Sequence, residues 1–345
     1  MIKRRTWIVA ALLTSLFLGG IGWIYWASLD RPELSDRYTL SMTQEPASAA
    51  TDVITPLPLT LALDSRKVAL GERLFNDPAL SRDGTVSCAH CHNLAAGGVD
   101  RLPRSIGIGG KEGSINAPTV FNSGLNFRQF WNGRAEALED QIDGPLQNPV
   151  EMGGTWPQAL AAISKDARYS AAFKELYSDG IQPHNVKDAI ATFERSLITP
   201  NSRFDRYLRG DQNALNEEEK AGYALFKQLG CASCHQGLNI GGNMYQKLGI
   251  MEDYFAVRGH LTDADLGRFS ITKHEQDRYF FKVPSLRNVA LTPPYLHDGS
   301  APKLEDAVQV MARYQLGKKL KAGEIARLVA FLRTLTGEYS GKPLE

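Results

Sequence analysis

The sequence carries almost no surplus of charge. Its 39 Lys and Arg residues face 38 Asp and Glu, so it lacks the bulk positive field that holds a nucleic acid. Cysteine is scarce, four in 345 residues, and that excludes a small disulfide scaffold. Strand-like alternation of apolar and polar residues is nearly absent, which argues against a sheet protein. No dinucleotide fingerprint is present either: the glycines at 107, 109, 110 and 113 miss G-x-G-x-x-G because position 112 is Glu, and no strand pattern precedes them. At 43% hydrophobic and 22% charged residues the composition is globular, neither disordered nor collagenous, and the length suits about two domains of roughly 150 residues.

From Trp7 to Ala27 runs a stretch without a charged residue. As a helix rising about 1.5 Å per residue it reaches roughly 31 Å, the thickness of a bilayer's hydrocarbon core. Lys3, Arg4 and Arg5 precede it and Asp30 follows, so the positive-inside bias leaves the rest of the chain outside the cytoplasm. A cleaved signal peptide is the competing reading. It would put the bulky Tyr25 at −3 of a cut after Ala27, where a small residue is needed, so an uncleaved anchor is expected. Pro32, Pro46, Pro56 and Pro58 punctuate the following segment, which reads as a tether that does not pack.

The four cysteines fall as Cys88-Ala-His-Cys91-His92 and Cys231-Ala-Ser-Cys234-His235. Both are C-x-x-C-H, the attachment pattern of a c-type haem: two thiols add to the porphyrin's vinyl groups, and the next histidine lies under the iron as proximal ligand. A redox C-x-x-C explains the thiols but not a histidine at the same offset twice. A zinc site would need ligands to converge across the long gap between the motifs.

Two motifs imply an internal duplication, echoed by Gly71-Glu-Arg-Leu-Phe75 before the first and Gly222-Tyr-Ala-Leu-Phe226 before the second. Helix signals surround them. Asn216 with Glu219 forms a capping-box pattern, and apolar stripes run through Ile190, Phe193 and Leu197, through Leu304, Ala307, Val308 and Met311, and through Ile325, Leu328, Val329 and Leu332. Residues 93 to 130 and 236 to 300 lack such periodicity. Loops of that length inside a compact domain are usually functional.

With Ile115-Asn-Ala-Pro-Thr-Val-Phe-Asn122, Phe130-Trp-Asn-Gly-Arg134, Leu197-Ile-Thr-Pro-Asn-Ser-Arg-Phe204 and Leu291-Thr-Pro-Pro-Tyr-Leu-His-Asp-Gly299 added to the two haem motifs, the chain resembles bacterial di-haem cytochrome c peroxidases over roughly residues 60 to 338. The resemblance implies a mainly α fold of two c-type cytochrome-like helical domains with long haem-wrapping loops; the one N-terminal transmembrane helix read from residues 7–27 lies outside the match and precedes them. The expected division is an anchor at 1–29, a linker at 30–60, a peroxidatic haem domain at 61–200 and an electron-transfer haem domain at 201–345, whose extreme C-terminus packs back on the first.

The resemblance also implies roles. Hydrogen peroxide is reduced at the first haem, and electrons enter at the second from a small donor: a cytochrome c, a cupredoxin or quinol. His92 and His235 are proximal ligands, and Cys88, Cys91, Cys231 and Cys234 carry the two haem c groups. Met311 is the second iron's sixth ligand, where tyrosine marks relatives that mature a tryptophan-derived quinone. Glu151 is the distal acid-base group beside Gln141, and Trp131 lies on the electron path. Calcium is expected with Asn116, Thr292 and Pro294 as ligands, His297 shapes coupling between the domains, and a homodimer in or at the periplasmic side of the membrane is implied.

Many members carry a histidine in the Gly-rich loop that must leave the first iron before peroxide binds. Here Ser105-Ile-Gly-Ile-Gly-Gly110 offers Ile108, which cannot ligate iron, so the first haem is expected to be open without reductive activation; His90, His260 and His274 are the alternative imidazoles. Two other classes of function compete: a di-haem electron carrier without a distal acid, and an oxidase that modifies a partner protein.

Overall fold

A computed structural model describes residues 52–345, which all belong to one compact unit. The expected transmembrane segment lies outside the described residues. Among those described, no helix is long and apolar enough to cross a membrane.

The architecture is mainly helical. Seven helices of eight or more residues are described: α1 Ser65–Asn76, α2 Trp156–Ile163, α3 Ala167–Leu176, α4 Pro183–Ser196, α5 Glu217–Leu229, α6 Leu304–Leu316 and α7 Ala322–Arg333. Their ends follow the local chemistry. Asp64, Thr155, Asp166 and Asn216 accept backbone N–H groups at the starts of α1, α2, α3 and α5, and Gly230 and Gly317 close α5 and α6 in the left-handed region. Among the described residues, extended structure amounts to two short ladders and a few isolated bridges. The first pairs β1, Tyr245–Lys247, antiparallel with β2, Phe280–Lys282.

Two apolar cores form, one around each haem motif. In the first, α1 crosses α4, with Leu70, Leu74, Phe75, Ile190 and Phe193 buried together. In the second, α5 crosses α7 through Tyr223, Phe226, Leu328, Phe331 and Leu332. A third, smaller cluster of Leu248, Tyr254, Phe255, Phe281 and Tyr314 sits against Trp131 and Met311. The two aperiodic stretches contain only short helical turns and β1 and β2.

The ends of the described chain cross over. Residues 52–58 were expected to tether without packing, and the structure corrects this: Ile54 and Leu57 are 2% and 0% exposed, and Ile54 joins the second core. The physical reason is an anchoring network that proline counting does not reveal. Asp205 accepts from the Leu57 N–H, and Arg287 donates to the Thr55 carbonyl at 3.1 Å. At the other end Tyr339 and Leu344 pack against the first core, Tyr339 edge-on to Phe121.

Candidate functional site

Around the second motif the structure holds a cavity of about 590 Å³. Cys231, Cys234, His235 and Met311 all line it, walled by apolar side chains such as Phe226, Leu304, Val308 and Leu332. The cavity is polar at few points and contains no carboxylate in its lining. An apolar chamber with two thiols and an imidazole is what a haem c requires, and Met311 adds a thioether to the same wall. All four cysteines are free. Burial pushes the Cys231 thiol up to about 11, Cys91 to about 11 and Cys88 to about 12, the opposite of the lowered values that make a redox C-x-x-C reactive.

The imidazole of His235 has a defined tautomer. Its Nδ1 lies 3.3 Å from the Ile240 carbonyl, which can only accept, so Nδ1 carries the proton and Nε2 keeps its lone pair for a metal. Burial pushes its pKa down to about 4, which keeps the ring neutral and ligating at physiological pH. Gly241 makes the approach of residues 240–242 possible, since a Cβ there would fall 2.2 Å from the Pro284 carbonyl oxygen. His92 repeats the arrangement: it caps the short helix Cys88–Cys91, Nδ1 faces the Gly98 carbonyl at 3.4 Å, and burial lowers its pKa.

Glu151 sits in the turn after the helix Asp143–Gln147. Burial raises its pKa, opposed by the Asn148 amide, 2.6 Å from Oε1, and by the charge of Arg134. The Gly-rich loop lies against this turn, with the Ile108 N–H donating to the Glu151 carbonyl at 2.8 Å. Gly107 is required, because its Cβ would meet the Val150 carbonyl oxygen at 2.1 Å. Ile108 itself is in the first core, 1% exposed. Gln141 ends a short helix, Leu138–Gln141, and is half-buried; no hydrogen bond joins its side chain to Glu151 or His92 among the described residues. Of the alternative imidazoles, His90 is exposed and bonded to the Ile106 carbonyl at 2.9 Å, and His260 and His274 are exposed.

Trp131, Asn116, Thr292, Pro294 and His297 line the same cavity as His235 and Met311. The Trp131 indole donates to the Asn116 carbonyl at 2.9 Å, and the Asn116 N–H donates to the His297 carbonyl at 2.8 Å. The Asn116 side chain donates to the Leu102 carbonyl. His297 Nε2 donates to Asp265 at 2.7 Å; since that carboxylate only accepts, Nδ1 carries the lone pair of a neutral ring, and burial lowers its pKa. Asp265, His297 and Asp298 offer three ligand atoms within 4.8 Å of one another, but Arg258 bonds both carboxylates, at 2.6 and 2.5 Å, and supplies the positive charge a metal would. Arg134, Asn148, Asp265 and Lys282 had no place in the sequence-level site. Arg134 closes the motif Phe130–Arg134 and lies over the Phe130 ring at 3.3 Å, a signal that was available. Asp265 and Lys282 gave none.

The di-haem cytochrome c peroxidase family model matches residues 65–213. Cytochrome c peroxidase Ccp of Escherichia coli K12 is 51% identical over 288 residues, 83% of this chain. The chain spans 62% of that relative's length. Cytochrome c551 peroxidase of Nitrosomonas europaea is 45% identical, covering 84% of this chain and 86% of the relative; methylamine utilization protein MauG of Methylorubrum extorquens is 34% identical over 82% of each. Among solved structures, a MauG-like protein associated with microbial copper homeostasis superposes with a TM-score of 0.71 at 29% identity, covering 86% of this chain and 96% of that one. On this fold, these paired C-x-x-C-H sites and these identities, the chain belongs to the di-haem cytochrome c peroxidase family.

Proposed function

We propose that the protein reduces hydrogen peroxide to two waters, with two protons and two electrons that a small donor delivers at the second haem and that pass to the first. Bound haem supplies an iron that cycles between oxidation states and accepts an oxygen ligand. The chain supplies the rest. His92 and His235 would hold the two haem irons through Nε2, and Met311 would add a thioether ligand to the second. Glu151 takes a proton from one peroxide oxygen and returns it to the other, a transfer that suits a carboxyl whose pKa burial raises. Gln141 orients the peroxide, Arg134 offsets negative charge near Glu151, and Trp131 bridges the halves at 61–200 and 201–345.

One observation carries this reading. The segments after each Asn-initiated turn repeat at a spacing of 166: Asn122 and Asn288 have φ of 61° and 60°, Phe130 and Leu296 of 67° and 70°, and the bridge Gln129–Ala135 is matched by Tyr295–Ala301. Leu138-Glu-Asp then corresponds to Leu304-Glu-Asp, which sets Pro145 opposite Met311. Proline cannot ligate iron. The repeat therefore supports a closed second haem beside an open first one, and Ile108 adds no imidazole. A plain electron carrier would keep both irons saturated.

The test uses the holoprotein with peroxide and reduced cytochrome c or cupredoxin. As isolated, the ferric protein should show a high-spin component, and Glu151→Gln should lower kcat by roughly 10²-fold or more with both haems retained. Two low-spin haems and an unaltered rate in the variant would leave only electron carriage. Calcium at Asn116, Thr292 and Pro294, export with Trp7–Ala27 as the membrane anchor, and a homodimer complete the proposal. Oxygen donors of this kind suit a hard cation.

A further inference from the structure

Lys282 ends β2 and is 7% exposed. Among the described residues its ammonium has neither a hydrogen-bond acceptor nor a carboxylate partner, and burial alone acts on it, pushing its pKa down to about 8. The other strong base lining the same cavity, Arg287, is paired with Asp205 at 2.7 Å. Burial of an unpaired ammonium is strongly unfavourable, so the site calls for an anion of compensating charge. The lining contains no Asp or Glu. What the Cys231, Cys234, His235 and Met311 set is built to take is a haem, which brings two propionates.

Position adds a second argument. The 166-residue repeat sets Lys282 opposite Asn116, and the backbone bonds confirm the correspondence. Asn116 N–H donates to the His297 carbonyl at 2.8 Å, while Lys282 N–H donates to the Trp131 carbonyl at 2.8 Å. Trp131 and His297 are themselves equivalent in the repeat and meet edge to face at 6.4 Å. The first half thus places a neutral amide where the second places a cation.

We propose that Lys282 pairs with a propionate of the second haem and raises that haem's reduction potential relative to the first. The inference rests on the di-haem reading above. A cation that neutralises a propionate favours the iron state carrying one electron more, and only the second haem has one at this position. The pair also fixes the porphyrin edge beside Trp131.

A potentiometric titration of the holoprotein, resolving the two haems by their spectra, tests this. Lys282→Met should weaken reduction of the second haem at least tenfold in the equilibrium constant, about 59 mV for one electron, with the first haem unmoved; Lys282→Arg should stay near the wild type. A second-haem potential within a factor of two of the wild type in Lys282→Met overturns the pairing. In the wild type, which needs no variant to fold, resonance Raman bending modes of the propionates should shift on exchange into D₂O, and modes that do not move also overturn it. Haem counting separates the two layers: fewer than two haems per chain overturns the reading and the pairing together, whereas two haems with an unmoved potential overturns the pairing alone.

Discussion

Glu194 is a carboxyl buried in α4, 6% exposed, with no hydrogen-bond partner for Oε2 among the described residues. Burial pushes its pKa up to about 8; Arg195 pulls it back and Glu139 adds to the rise. The folded chain therefore holds a proton that the unfolded chain, titrating near 4.5, has released over most of that interval. Stability from this group is complete below about pH 4.5 and is lost as pH climbs toward 8. Glu194→Gln keeps the shape without the charge, so the variant should be more stable than the wild type at pH 8 by on the order of 4 kcal/mol and equal to it at pH 4; melting curves at the two pH values check this, and equal curves at pH 8 would refute it. At this scale the sequence was legible where covalent chemistry fixes neighbours in the chain. Cys88, Cys91 and His92 announce themselves because the porphyrin demands their spacing. Glu194 looks like any surface charge, although the stripe of Ile190, Phe193 and Leu197 around it was readable, because burial depends on the helix laid across it.

The short echo Gly71 to Phe75 and Gly222 to Phe226 has its physical explanation at the level of helix pairs. A Cβ on Gly71 of α1 would meet the Ala189 carbonyl oxygen of α4 at 1.9 Å, and one on Gly222 of α5 would meet the Arg327 carbonyl oxygen of α7 at 2.1 Å. In each pair a phenylalanine one turn past that carbonyl packs on the one that follows the glycine: Phe193 with Phe75 at 5.2 Å, Phe331 with Phe226 at 5.2 Å. The same crossing is thus built twice, and glycine is its contact point. Alanine usually improves a helix interior. Here Gly71→Ala and Gly222→Ala should each destabilise by roughly 1–3 kcal/mol through overpacking, with amide exchange faster first in the helix pair that carries the change. A gain in melting temperature for either would show the crossing to be loose. The sequence yielded the helices and the echo but not their crossing, since nothing local says which backbone a glycine will touch.

The halves are joined by exchange in both directions. Ile54 from the start of the described chain serves the second core and Tyr339 from its end serves the first, while Asn122, Thr199 and Asn288 bond one another in a buried network between them. At the centre the backbone of residue 116 holds 297 and that of 282 holds 131, which sets the Trp131 and His297 rings edge to face at 6.4 Å; the proposed electron path runs through this pseudo-symmetric contact. The repeat that produces this pair was hard to see in the sequence because the halves differ by more than twenty residues between motif and turn, and because tryptophan and histidine share no resemblance. A joint made by reciprocal bonds transmits a local loss to both sides. Trp131→Phe keeps the ring and the carbonyl that Lys282 uses but leaves the Asn116 carbonyl without the indole donor. The variant should lose roughly 1–3 kcal/mol in a single unfolding transition followed at both haems, and stopped-flow mixing should show slower electron transfer from the second haem to the first with the second haem's potential unchanged. Two separated transitions in the wild type would mean that the halves fold independently and that the exchange does not couple them.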